Sequence, residues 1–133
     1  MNIFLNEQRD RRRFLRVPFE ATVTVKNLSD GTILENLDSK DISMKGIYCL
    51  TDTPFKVDTP CVVELLLTGT SSELWIRIEG HVVRSEDSGM AIIFDNMDLD
   101  AFIHLKNILY YNSGDPERID KELVLHNIYL TAE

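Results

Sequence analysis

Several things are scarce in this chain, and each scarcity closes off a class of protein. There are two cysteines, Cys49 and Cys61, in 133 residues. Their spacing has no second Cys or His pair to complete a zinc site, and both lie in apolar, strand-like stretches. Buried free thiols are therefore expected rather than a disulfide framework. The three histidines, His81, His104 and His126, are scattered over separate segments. They are read as structural or surface residues, and no metal site is expected. No apolar run approaches the roughly 18 residues needed to cross a bilayer, so no membrane insertion is expected. The apolar start Ile3-Phe4-Leu5 is too short for a secretion signal, and its charges follow it. A cytoplasmic location is the expectation. Only 6 glycines and 4 prolines are present, with no repeats or low-complexity tracts. The length fits one domain able to bury a core without metal or disulfide support.

Net positive charge is also scarce: the formal charge is −8. Against that background, residues 9 to 16 hold five arginines (9, 11, 12, 13 and 16) and one acid, Asp10, a net of +4, which leaves −12 for the rest (−8 − 4). Bulk composition does not supply such a cluster. It is suited to an anion or to planar acceptors, which guanidinium forks and stacks serve well. The bland reading of the run alone is a solvated tail pairing with the acidic body.

From Phe19 onward the chain reads as β structure. Ala21, Val23 and Val25 alternate with polar residues. Ser29-Asp30-Gly31 is a turn, and Thr32 to Leu37 is a second strand. A segment Asp41 to Gly46 leads into a short strand at Ile47 to Leu50. Beyond a loop with Pro54 and Pro60 comes the apolar run Cys61 to Leu67. Leu74 to Arg84 sets Leu74, Ile76, Ile78 and Val82 on one face and Trp75, Arg77, Glu79, His81 and Val83 on the other. Ser88-Gly89 closes a hairpin into Met90 to Phe94. Six strands at short intervals predict an antiparallel barrel or sandwich. The period then changes. Leu99, Phe102, Leu105 and Leu109 form a helical stripe capped by Asp98, and Asn112-Ser113-Gly114 ends it. Asp115-Pro116-Glu117 has the form of a second helix start. The expected division is an arginine-rich, flexible N-terminal arm over 1–17, a β-barrel core over 18–97 and a C-terminal helical extension over 98–133.

Two motifs carry a family resemblance. Arg12-x-x-x-Arg16 and Asp41-x-Ser43-x-x-Gly46, about 25 residues apart, resemble the paired motifs of the PilZ domain. Gly80-His-Val-Val-Arg84 and Gly89-Met-Ala-Ile-Ile-Phe94 resemble that family's last two barrel strands, and the helix from Asp98 resembles its C-terminal cap. The resemblance covers about residues 9 to 112. It implies a mainly β fold, a six-stranded antiparallel PilZ-type barrel with C-terminal helices, that binds the second messenger cyclic di-GMP and is not an enzyme. Implied ligand contacts are Arg12 and Arg16 on guanine acceptor edges or phosphates, and Asp41 on the guanine N1 and N2 donors. Ser43 would meet a phosphate or amine, and Gly46 would allow close backbone approach or a positive φ. Arg11 and Arg13 are auxiliary, with Arg11 placed to neutralise or stack on a second ligand molecule. Arg84 is expected to pair on the surface.

The competing readings differ in what they require. A phosphodiesterase needs metal ligands or a placed acid and base, and no such spacing is present. A nucleic-acid-binding barrel needs basic grooves with stacking aromatics, whereas this barrel is acidic, so no nucleic-acid partner is expected. A ligand-free PilZ-like adaptor would typically lack the arginine pair, and both arginines are here. A single-domain receptor implies a downstream protein partner. The sequence leaves monomer and homodimer both open.

Overall fold

In a computed structural model of the chain, residues 2–4, 17–18, 22–68, 73–112 and 129–131 are described. Their strands are β1 (Asn2–Phe4), β2 (Val17–Pro18), β3 (Thr22–Asn27), β4 (Ile33–Ile42), β5 (Gly46–Leu50), β6 (Pro60–Thr68), β7 (Glu73–Glu86), β8 (Gly89–Asp98) and β9 (Tyr129–Thr131). The one helix among the described residues is α1 (Leu99–Asn112). Six strands close on themselves by antiparallel pairing in the cycle β3–β4–β5–β8–β7–β6 and back to β3. A closed barrel leaves no open edge within that ring. The fold is mainly β, as the strand count and turn spacing predict.

The alternation of the sequence sets the inside of the barrel. Val23 and Val25, Val63 and Leu65, Ile76, Ile78 and Val82, and Ile92 and Phe94 all point inward and are buried. Trp75, Arg77, Glu79 and Val83 are exposed, as the alternation requires, and His81 on the same outer face is half-buried. Cys49 and Cys61 are free and fully buried in this core. Burial pushes both thiols up to about 12, with a smaller contribution from the neighbouring Cys61 for Cys49 and from the Asp95 carboxylate for Cys61. Both are small apolar packing units. The helix closes one end of the barrel with Ala101, Leu105 and Leu109. Its first turn is capped as expected, the Ala101 amide donating to Asp98 Oδ1 at 2.7 Å.

Three sequence expectations are revised. The strand expected over Thr32 to Leu37 runs on unbroken to Ile42, so Asp41 sits on a strand and not in a separate segment. Ser39 faces Cys49 while Asp41 faces Tyr48, so Lys40 is an extra residue on β4. That bulge shifts the inward set from Ser39 to Ile42 and turns Asp41 outward. The other two revisions concern the termini. Asn2–Phe4, inside the expected arm, pairs with Asn96–Asp98 of β8, and Tyr129–Thr131, inside the expected helical extension, pairs with β1. β8 outruns its pairing with β5 at Ile93, and the exposed backbone edge beyond it accepts short β-prone runs. The helix start at Asp115-Pro116-Glu117 lies outside the described residues.

Candidate functional site

The Asp41–Gly46 segment is a tight corner between β4 and β5, and its geometry comes from its own residues. Ile42 and Met44 are buried and anchor it in the core. Between them Ser43 folds the turn: its Oγ accepts the amides of Lys45 at 3.1 Å and Gly46 at 3.2 Å. The Ser43 amide donates to the Gly46 carbonyl at 2.9 Å, and the Phe94 amide donates to the Lys45 carbonyl at 2.7 Å, pinning the corner to β8. Ser43 thus behaves as a local turn former. The Ser43 hydroxyl donates to the Gly46 carbonyl in a long bond, with Oγ 3.4 Å from the carbonyl oxygen. That proton is the part of the side chain least engaged by the turn.

Of the two reasons expected for Gly46, the structure removes the positive φ. Gly31 is the one described glycine with a positive φ, so Gly46 is not here for left-handed backbone. A Cβ at Gly46 would fall 2.4 Å from the Ile92 carbonyl oxygen. The glycine is required by the closeness of β8, where Gly46 pairs with Ile93. It lets the barrel close at this corner.

Asp41 is half-buried on the outer face. Among the described residues no donor contacts its carboxylate. Backbone register brings to it the two residues that follow the arginine segment in sequence: Val17 pairs with Ile42 and Pro18 with Asp41. Arg16 is one peptide bond from Val17, a Cα separation of about 3.8 Å, so the end of the first motif is covalently tied beside the second. Arg11, Arg12, Arg13 and Arg16 themselves lie outside the described residues.

The sequence model of the PilZ domain family matches residues 10–111. The chain belongs to the PilZ domain family. Solved structures with this fold include the inhibitor of motility MotI/DgrA of Bacillus subtilis, at 18% identity and TM-score 0.62, over 87% of this chain and 53% of that one. The chain therefore spans about half the length of that protein. The PilZ domain of YcgR from Escherichia coli, solved with c-di-GMP, matches at 15% identity and TM-score 0.60, over 86% of this chain and 98% of that one. MrkH of K. pneumonia in its apo state matches at 21% identity and TM-score 0.51, over 84% and 55% of the two chains. At these identities the likeness is one of fold.

On this PilZ barrel, strand register adds two residues to the motif face. Asp41 pairs with Tyr48, Tyr48 with Ala91, and Ala91 with Arg84. The four make one outward row across four strands. Arg84 lies over the Tyr48 ring, 5.6 Å from its centroid, a cation–π contact. Tyr48 donates its hydroxyl to Glu86 at 2.9 Å. This hydrogen bond, followed by partial desolvation and the carboxylate's charge, pushes the Tyr48 phenol above its ordinary value, against the opposing charge of Arg84. Sequence pattern alone did not mark Tyr48 and gave Arg84 only a surface pairing. The signal was present in part, since Tyr48 stands two residues beyond Gly46, but the row itself depends on cross-strand register.

One row further along, Gly46 pairs with Ile93 and Ile93 with His81. The His81 Nδ1 lies 2.9 Å from both carboxylate oxygens of Asp95. This pair ties β7 to β8 on the outer face, the structural role expected for the histidine. Among the described residues no group of three His, Cys, Asp or Glu side chains converges as metal ligands would, and no helix is long and apolar enough to cross a membrane.

Proposed function

We propose that this chain is a non-enzymatic receptor for cyclic di-GMP whose ligand closes the gap between the arginine segment and the Asp41 face. The observation that carries the proposal is the pairing of Val17 with Ile42 and Pro18 with Asp41. It tethers a segment of net +4 beside an outward carboxylate with no described donor. Cyclic di-GMP carries two phosphodiesters and two guanines, so it needs both kinds of partner. Arg12 and Arg16 supply forked donors for phosphate or for guanine O6 and N7, and Asp41 accepts from N1 and N2. Ser43 acts chiefly by shaping the corner, and its buried hydroxyl would have to give up the long bond to the Gly46 carbonyl to meet a phosphate oxygen. Gly46 keeps that corner against β8. Arg84, stacked on Tyr48 in the same row, offers a flat cationic surface to a base. Arg11 and Arg13 add charge, and Arg11 is positioned in sequence to accompany a second ligand molecule.

The arginine-bearing stretch between β1 and β2 is the moving part in this reading. Five like charges with few apolar anchors compensate their ordering entropy poorly until an anion arrives. Ordering of that stretch on the barrel would then present a changed surface to a downstream protein. Isothermal titration with cyclic di-GMP, with RNA as control, tests the reading, and Arg16→Ala should abolish most of the heat. Hydrogen exchange over residues 7 to 17 should slow on ligand addition. Saturable binding of RNA with no response to cyclic di-GMP would overturn the receptor assignment. Silence towards both would leave a PilZ-like adaptor.

A further inference from the structure

The row that carries Asp41 ends in an arginine already engaged by a carboxylate. The Arg84 Nε lies 3.1 Å from Glu86 Oε1. The same oxygen accepts the Tyr48 hydroxyl. Ala91, between Tyr48 and Arg84 in the row, presents only a methyl group, so the two large side chains meet above it. Gly89 completes the seat, because a Cβ there would lie 2.6 Å from Tyr48 Cε1 and 2.8 Å from Cζ. The ring is therefore packed directly against the strand. Among the described residues Arg84 has no other acceptor. The Arg84 and Glu86 side chains are 56% and 48% exposed, within reach of a ligand from solvent.

We propose that Glu86 is a built-in competitor for Arg84 that lowers the affinity of this face for an anionic ligand and so sets the concentration at which it responds. The proposal rests on the cyclic di-GMP reading above and concerns its regulation. A phosphate or guanine acceptor that takes the Arg84 fork must share it with Glu86 or displace it. Because the pair is solvent-exposed, the contact it must yield is weak. Glu86 therefore attenuates binding in a graded way and does not block it. Its bond to Tyr48 gives it a fixed location, so the attenuation is built into the fold.

Glu86→Gln separates charge from shape, since the amide oxygen still accepts the Tyr48 hydroxyl. Titration with cyclic di-GMP should show Glu86→Gln binding about two- to fivefold tighter than the parent at low salt, the range an exposed ion pair commands. The gain should shrink as added salt screens the charge. It should vanish when Arg84→Ala is present in both proteins, which makes the effect a coupling between the two residues. A Glu86→Gln protein that binds no tighter, or whose gain survives without Arg84, overturns the proposal while leaving the receptor reading intact. A parent that binds no cyclic di-GMP overturns the receptor reading itself, and the proposal with it. A ligand-free check is the ultraviolet titration of the phenols: loss of the Glu86 charge should lower the Tyr48 value, and an unchanged titration would count against the shared carboxylate.

Discussion

Replacing Gly46 by alanine distinguishes a glycine kept for the barrel from a glycine kept for the ligand. The added methyl would lie 2.4 Å from the Ile92 carbonyl oxygen and 3.4 Å from Ile93 Cα. Both obstacles are backbone atoms of β8 held in the ladder with β5, so no rotamer change relieves them. Either β5 moves off β8 at the Gly46–Ile93 pair, or the Ser43 corner opens and its hydrogen bonds to Lys45 and Gly46 lengthen. Overpacking of this sort costs about 1–3 kcal/mol. Loss of one ladder bond adds about 1 kcal/mol. A total of about 2–4 kcal/mol is expected. For a chain of 133 residues the entropy of unfolding is roughly 280 cal/mol/K, so each kcal/mol lowers Tm by about 3.6 °C. Thermal unfolding followed by far-ultraviolet circular dichroism should then show Tm lower by about 7–14 °C. Urea titration should give a reduced midpoint with an unchanged slope. If Gly46→Ala keeps the parent Tm but loses cyclic di-GMP, the glycine serves ligand approach, and its barrel-closing role is wrong.

Arg16→Ala should weaken cyclic di-GMP binding by about 2–4 kcal/mol, since it removes charge-assisted, partly desolvated contacts; unchanged affinity in a folded protein would refute the assignment. Ser43→Ala leaves the amides of Lys45 and Gly46 without their acceptor, and a loss of about 1–2 kcal/mol in chemical denaturation is expected. A smaller loss would show that solvent replaces the hydroxyl. The thiols of Cys49 and Cys61 should be inert to a thiol reagent at pH 8 until the chain unfolds, and rapid native labelling of either would place it outside the core. Their raised values also fix a pH dependence. Below the ordinary value of 9.0 both states keep the proton, and above it the unfolded chain loses protons that the folded chain retains until about 12. Stability should therefore fall across that window by up to about 1.4 kcal/mol per pH unit for each thiol. A flat profile between pH 9 and 11 would argue against thiol burial.

Much of the barrel was legible because a period-2 pattern needs no partner to be read. Ile76, Ile78 and Val82 face inward because the β7 sequence alternates, and the Asp98 cap declares itself by residue type. The bulge at Lys40 was not legible. An extra residue on β4 is defined only by its mismatch with β5, so the strand assignment stopped at Leu37 although the chain runs extended to Ile42. The short pairs of β1 with β8 and β9 were missed for a related reason. Three-residue strands have too little pattern of their own, and their stability comes from the edge they cover. The site divides in the same way. The motif spacing marked Asp41, Ser43 and Gly46, but not what Ser43 and Gly46 do, since both roles are settled by backbone atoms of neighbouring residues and of β8.

What the sequence by itself determined is local: the inward and outward faces, the corner chemistry of Asp41-x-Ser43-x-x-Gly46, and the separation of an arginine-rich segment from an acidic body. These depend on residues a few positions apart, where covalent geometry fixes the neighbours. Tertiary structure decided which distant residues share a face. Asp41, Tyr48, Ala91 and Arg84 form one row only because three antiparallel registers align them across 50 positions of chain (91 − 41). Register is chosen by core packing and barrel closure together, and a slip of one residue in any of the three pairings would have turned the row's members to opposite sides of the wall.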